Sequence, residues 1–528
     1  MPKGYLCLVL HTHLPFVRHP EFEDSLEERW LFEAITETYI PLLKVFYGLK
    51  EDNIDFKLTM SFSPTLTAML SDYLLQERYL KHISKLIELA EKEVDRTKGD
   101  KSLNNLSLMY LEHFQECKYF YEDVCKRDLI SQYSKLQESG NIEIITCSAT
   151  HCFSPVFEEY PNAIKAQLKV GCESYQKYFK TKTKGIWNGE CGYFPGLDNY
   201  LAEEGINYFF LDTHGILNAK DRPFYGIYAP IYCKSGVAAF GRDPDSSRSV
   251  WSCDEGYPGD QNYRDFYRDI GFDLDFEYIK PYIHSTGSRI MTGIKYNKIS
   301  NKTDEKKGIY NRRLALGKAL THANDFIDKR IIQIKKLNDM MDRPPLLIAP
   351  YDTELFGHWW YEGPQWLDYL FRLLNKERNM IELITPSLYL KQYSENQVTT
   401  PSFSSWGLDG YSKVWLDESN NWMYKYLHRT IEQMTELAND YKDASGITKL
   451  ALNQCAREIL LAQASDWPFI MNTNTVVEYA RNRIETHISR FNQLYQMVKE
   501  NNIDKEIFRK ISSEDNIFPD IDYRIYCI

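Results

Sequence analysis

The chain has 528 residues and a formal net charge of −11, from 63 Lys and Arg against 74 Asp and Glu. That balance argues against a nucleic-acid binder, which carries a basic stripe, and the length exceeds one small domain, favouring a large catalytic domain with an accessory one. Eleven cysteines without a C-x-x-C pair fit neither a disulfide framework nor a zinc ribbon.

Reduced cytosolic thiols and a cytoplasmic location are therefore expected. The opening apolar run is too short for a signal peptide, and no stretch is long and apolar enough to span a bilayer. Aromatic residues make up 14%, with 38 Tyr and 10 Trp, enough to build a stacking surface for ring-shaped ligands, although such rings also fill ordinary cores.

The first apolar run, GYLCLVLHTH (4–13), reads as a strand that ends in His11 and His13. Two residues apart, these share one face. They could chelate a metal with His151 and a carboxylate, donate to substrate hydroxyls, or be satisfied by backbone carbonyls. FKLTMSFS (56–63) and NIEIITCSATH (141–151) follow, separated by helical patterns such as 78–94, and a further helix is expected over 162–179.

KGIWNGECGY (184–193) then places Glu190 just past an apolar run, beside Trp187 and Tyr193 rather than in polar company. After INYFFLDTHG (206–215), residues 216–300 are rich in Pro, Gly, Tyr and Asp and read as a loop-rich insertion, a kind of segment that is usually functional. PLLIAPYDTE (345–354) ends in Asp352, with Trp359 and Trp360 close behind, and IELITPS (381–387) is one more strand.

Beyond a polar boundary at 397–405 the pattern becomes helical over 420–441, 448–470 and 476–501. Within it Asp466 interrupts an otherwise apolar helix beside Trp467, either as a buried structural acid or as part of a cleft. Strands alternating with helices imply a parallel sheet, and polar residues gathered at strand ends suggest a (β/α) barrel with its site at that face. The expected division is a barrel over 1–400 and a helical domain over 401–528.

Two carboxylates at strand ends, Glu190 and Asp352, are what glycosyl transfer requires. With a separation of roughly 5–5.5 Å, one acts as nucleophile and the other as acid and base, giving retention through a covalent intermediate. Trp359, Trp360, Trp366, Trp406, Trp415 and Trp467 could stack on sugar rings, though each alone is more readily core.

Taken in order, HTHLP, NIEIITCSATH, IWNGECGYFP, APYDTELFGHWW and REILLAQASDWPF resemble the five ordered sequence regions of glycoside hydrolase family 57, most of all its 1,4-α-glucan branching enzyme subgroup. LEERWLFEAITETYIPLL and VAAFGRDPDSSRSVWS resemble that subgroup too. The resemblance implies an incomplete (β/α)7 TIM-like barrel with a C-terminal all-helical domain, an α-glucan substrate, and neither cofactor nor catalytic metal.

It implies Glu190 as nucleophile, Asp352 as general acid/base, and His11, His13 and His151 as contacts of the donor sugar. Asp466 and Trp467 become cleft residues from the helical domain, while Trp406 and Trp415 line the groove. Branching members of the family are expected to carry a tyrosine-tipped loop over the acceptor side. Here the matching segment, 228–240, is compact and offers Tyr232 as its tip. An α-amylase-like hydrolase or a 4-α-glucanotransferase shares this chemistry. A metal-dependent carbohydrate deacetylase and a catalytically silent glucan-binding protein are the readings from other classes.

Overall fold

Alternation along the first strand decides the architecture. In the computed structural model, which describes residues 2–252, 255–300 and 307–528, all nine residues of β1 (Gly4–Thr12) are buried. Tyr5, Cys7 and Val9 enter an inner cluster with Ile145, Cys147, Trp187, Phe210 and Ile348. Leu6, Leu8 and Leu10 point the other way, into the main core beneath the helices. A strand buried on both faces needs side chains inside a barrel and helices outside it.

The other strands are β2 (Leu58–Phe62), β3 (Ile142–Cys147), β4 (Gly185–Trp187), β5 (Tyr208–Leu211), β6 (Ile231–Tyr232), β7 (Ala238–Gly241), β8 (Leu346–Asp352) and β9 (Ile381–Leu383). Their order in the sheet is β6-β7-β5-β4-β3-β2-β1-β8, with β9 on the start of β1. All pairings are parallel except β6 with β7. Among the described residues no strand pairing joins β7 to β8, so the curled sheet stays open there. This is the incomplete barrel that the motifs imply.

Two expectations change. Residues 216–300 are not loop throughout: β7 is a full member of the barrel and is followed by the helix Pro244–Trp251. Four residues of Ala, Phe and Gly are too short and too small a run to stand out by periodicity. Asp466 does not interrupt a helix either, because one helix ends at Ala462 and the next runs Asp466–Thr473. Its carboxylate therefore sits in a first helical turn, where the helix dipole favours negative charge.

The last part of the chain is helical, with Tyr424–Asp440, Gly446–Ala462, Val477–Lys499 and Lys505–Glu514 as its main rods. It is docked on the barrel by hydrogen bonds from Gln167 Nε2 to Gln463 Oε1 (2.9 Å) and from the Ser465 N–H to the His151 carbonyl (3.2 Å). None of the described helices is long and apolar enough to cross a membrane.

A buried charge cluster pins these helices together. The His487 Nδ1 lies 2.7 Å from Glu458 and 3.5 Å from Asp515, and Arg483 and Arg490 both reach Asp515. Burial alone would raise the Asp515 carboxyl, but the Arg483 and Arg490 guanidiniums outweigh it and hold it below the usual range, while burial keeps the His487 ring neutral. Asp515→Asn leaves buried cations uncompensated and is expected to cost about 3–5 kcal/mol, read by chemical denaturation. For a depressed carboxyl, the stabilisation is present above the ordinary Asp value of about 3.9 and is lost as pH falls through the folded value. The variant should therefore show a shallower acid limb than the wild type.

Candidate active site

The inner-face alternation of Tyr5, Cys7 and Val9 continues to His11, at the C-terminal end of β1. There it is in register with Asp352 on one neighbour and Ser61 on the other. On β8 the same period-two rule takes the inner face from Leu346 and Ile348 to Asp352. Trp187, fully buried at the end of β4, stacks under His11 at 4.7 Å. Strand ends thus deliver their polar residues to one opening, a cleft of about 540 Å³.

Glu190 arrives differently. It has φ +60°, and Cys191 after it has φ +51°, a left-handed conformation that costs non-glycine residues about 1–3 kcal/mol each. Gly189 admits the turn, because a Cβ there would come within 2.4 Å of the Cys152 carbonyl oxygen. Such strain persists where the surroundings over-determine it: the Glu190 carbonyl accepts from the Trp406 N–H at 2.9 Å. Its carboxylate accepts from Ser465 Oγ (2.7 Å) and Trp406 Nε1 (2.8 Å).

Those two donors separate the two acids. Burial pushes Glu190 up to about 7, opposed by the bonds from Ser465 and Trp406. Burial also pushes Asp352 up to about 7, helped by the charge of Glu190 and opposed by His13 and Arg242. Asp352 accepts no side-chain hydrogen bond among the described residues. Fixed donors solvate the Glu190 anion and no described side chain does so for Asp352, so the hydrogen bonding favours a shared proton resting on Asp352, while both acids sit at about 7.

Three imidazoles line one wall. His11 Nδ1 bonds Ser61 Oγ (2.6 Å), and its Nε2 bonds His151 Nε2 (2.9 Å), whose Nδ1 reaches Ser465 Oγ (2.7 Å). Burial holds both rings well below the ordinary histidine value, hence neutral. His13 stacks on His151 at 4.0 Å and donates through Nε2 to both oxygens of Asp466 at 3.1 Å. Burial would lower its pKa, yet Asp466, Glu190 and Glu354 together raise it.

Ligating atoms of His11, Cys147 and His151, and of His13, His151 and Asp466, lie close enough to share a cation. The imidazole nitrogens are already engaged as described, apart from His13 Nδ1, which is buried without a partner. Burial keeps the Cys147 thiol well above its usual value, so as a thiol it is a poor ligand.

Of the predicted site residues, Glu190, Asp352, His11, His13, His151, Asp466, Trp359, Trp406 and Trp415 all line the cleft. Four lie elsewhere. Trp187 supports His11 from beneath. Trp360 is 1% exposed and packs against Phe356, Tyr263 and Trp366. Trp467 is fully buried and donates Nε1–H to the Leu461 carbonyl. These indoles are core; of the adjacent pair Trp359 and Trp360, the first is half exposed in the cleft and the second is buried.

Tyr232 pairs with Ala238 at the start of β7, while the cleft lies beyond that strand's end. Its ring packs on the floor of the barrel, so it is not the tip of a loop over the site.

Sequence reasoning missed Arg242, Glu354, Trp251 and Phe469, which also line the cleft. It also missed Ser465, which holds both Glu190 and His151. Arg242 follows β7, the strand that was read as insertion. Glu354 lay in view in YDTEL; burial pushes it up to about 7, and Tyr39 Oη donates to it at 2.6 Å.

Two buried carboxyls, differently hydrogen-bonded and both pushed up to about 7, at the C-terminal end of an open (β/α) barrel are the arrangement of a carbohydrate-active enzyme of the double-carboxylate type. The chain belongs to glycosyl hydrolase family 57, whose profile matches residues 7–402, and a profile described as 1,4-alpha-glucan branching enzyme, C-terminal, matches 426–526. It is 30% identical to the 1,4-alpha-glucan branching enzyme TK1436 of Thermococcus kodakarensis, over 98% of this chain and 77% of that one.

Among solved structures it resembles the alpha-amylase AmyC of Thermotoga maritima, with 46% identity, a TM-score of 0.93 and 99% of each chain covered. It also resembles the branching enzyme of Pyrococcus horikoshii, with 31% identity, a TM-score of 0.90, and 100% of this chain and 97% of that one covered.

Proposed function

We propose that this chain is a retaining 1,4-α-glucan branching enzyme that cleaves an α-1,4 bond and rejoins the freed chain through an α-1,6 bond, acting in the cytoplasm. The observation that carries this reading is the donation of Ser465 Oγ to the Glu190 carboxylate. It ties the helical part of the chain, whose residues 426–526 match the branching-enzyme profile, directly to the nucleophile of the barrel; the division we propose is a barrel over 1–400 and a helical domain over 401–528. Asp466 adds a second contact from the same part, to His13.

In the first step Glu190 attacks the anomeric carbon while Asp352 gives its proton to the departing glycosidic oxygen, leaving the glucosyl unit esterified to Glu190. Esterification removes the Glu190 charge, the pKa of Asp352 falls, and it becomes a base. It then takes the proton from the 6-hydroxyl of an acceptor glucan, which attacks the ester and restores Glu190. His11, His13 and His151 line the wall where the donor sugar sits, and their interlocked hydrogen bonds hold that wall rigid.

Because Glu190 must be ionised and Asp352 protonated, activity falls as pH drops below the first proton loss of the pair and as it rises above the second. With both acids near 7, log kcat/KM should be a narrow bell around neutrality. A flat profile from about pH 5 to about pH 9 contradicts the assignment.

A specific observation favours a second reading, hydrolysis of the α-amylase kind. The Thermotoga maritima structure reported above is named an alpha-amylase and is more similar in sequence than the branching enzymes compared. Tyr232, the expected acceptor-side tyrosine, lies at the far end of β7. Both readings share Glu190 and Asp352 and differ in what attacks the ester. Incubation with amylose, followed by measurement of α-1,6 bonds against new reducing ends, separates them.

A further inference from the structure

One aromatic ring on the cleft wall is exposed but not free. Trp359, 51% exposed, lines the cleft seven residues past Asp352. Behind it Phe266, carried by the segment between β7 and β8, stacks on the indole with centroids 4.3 Å apart and planes at 27°. The Lys295 ammonium lies 4.1 Å from the Phe266 ring centroid and donates to the Phe266 carbonyl at 2.7 Å.

Lys295 is 1% exposed, and a buried ammonium is costly without partners. The acids Glu37, Asp269 and Glu33 face it, as does the Arg264 guanidinium, which disfavours its charge. His358, next to Trp359 in the chain, bonds Glu37 at 2.5 Å. The indole is thus the outermost layer of an ammonium–ring–ring stack, seated on a buried charge network. A lone surface tryptophan needs no such foundation.

We propose that Phe266, itself held by Lys295, is a positioning residue that fixes Trp359 as a platform for the glucan chain on the leaving-group and acceptor side. Trp359 lines the cleft on the segment that directly follows Asp352, the acid that must face the glycosidic oxygen, and on that adjacency we assign it to the leaving-group and acceptor side. A preset indole stacks on the sugar's apolar face without first losing rotamer freedom. It also covers that side of the ester against water. The assignment rests on the reading of the chain as an α-glucan transferase.

The test compares Phe266→Tyr, Phe266→Leu and Phe266→Ala, with Lys295→Met as a second route to the same stack. The measurements are the ratio of α-1,6 bonds to new reducing ends on amylose, and KM and kcat for total bond cleavage. Tyr keeps a flat ring and should hold the wild-type ratio. Leu fills much of the volume without a ring, and both Leu and Ala should lower the ratio about 3- to 10-fold and raise KM more than they lower kcat. Lys295→Met should move the same way by a smaller factor.

A merely structural Phe266 gives the opposite pattern: Leu rescues as well as Tyr, and kinetic changes only follow losses of Tm. That result overturns the proposal, as does an unchanged ratio and KM in Phe266→Ala. If the wild type hydrolyses without forming α-1,6 bonds, the transferase reading fails by itself. The contrast of Leu with Tyr in KM for hydrolysis then still decides the role of Phe266.

Discussion

Glu190→Gln abolishes both transfer and hydrolysis, by about 10⁴-fold or more, while glucan binding persists. The amide keeps the shape of the side chain and can still accept one hydrogen bond, but it lacks the anion that forms the ester. Ser465 and Trp406 both donate to this carboxylate, so the amide must also turn its NH₂ towards one donor, which adds a small local cost. Rates on amylose and titration of a maltooligosaccharide into the inactive variant check the two halves of the expectation. Near-normal turnover in a folded Glu190→Gln protein removes Glu190 from its role.

Asp352→Asn gives a different loss. Turnover of glucans falls by about 10²- to 10⁴-fold, the ordinary worth of a positioned acid and base, because an unactivated glycosidic oxygen cannot depart unprotonated. A substrate with a good leaving group needs no such proton. Glycosylation of Glu190 then proceeds, the second step lacks its base, and the ester accumulates. Mass spectrometry of the variant after reaction with an activated glucosyl donor should find that ester on Glu190. Absence of any trapped ester, with glucan turnover equally lost, contradicts the division of labour between the two acids.

What could be read from the sequence follows the physics of each residue. His11 and Asp352 were legible because the period-two alternation of a strand carries on to its last residue, and Glu190 because a charge among Gly, Cys and tryptophan lacks solvated company. The open barrel followed from the ordered motifs. Tyr232 could not be placed, since its side of the sheet depends on an antiparallel pairing with Ala238 that no local pattern announces.

Trp360 and Trp467 were misassigned because an indole's chemistry is the same in a core and in a cleft, and only packing tells the two apart. Ser465 carried no signal at all. It matters because one hydroxyl reaches both Glu190 and His151, a contact between residues 275 and 314 positions apart in the chain. Phe266 lay in a segment read only as loop, and its value depends on Lys295 beneath it and Trp359 above.

The central claim is that the ester on Glu190 passes to a glucan hydroxyl rather than to water. The direct measurement is to incubate the protein with amylose, digest the product with a debranching enzyme, and count released chains against the reducing ends present before debranching. The account predicts new side chains released in clear excess over reducing ends. Reducing ends that accumulate with no chains released on debranching contradict it and make the protein a hydrolase.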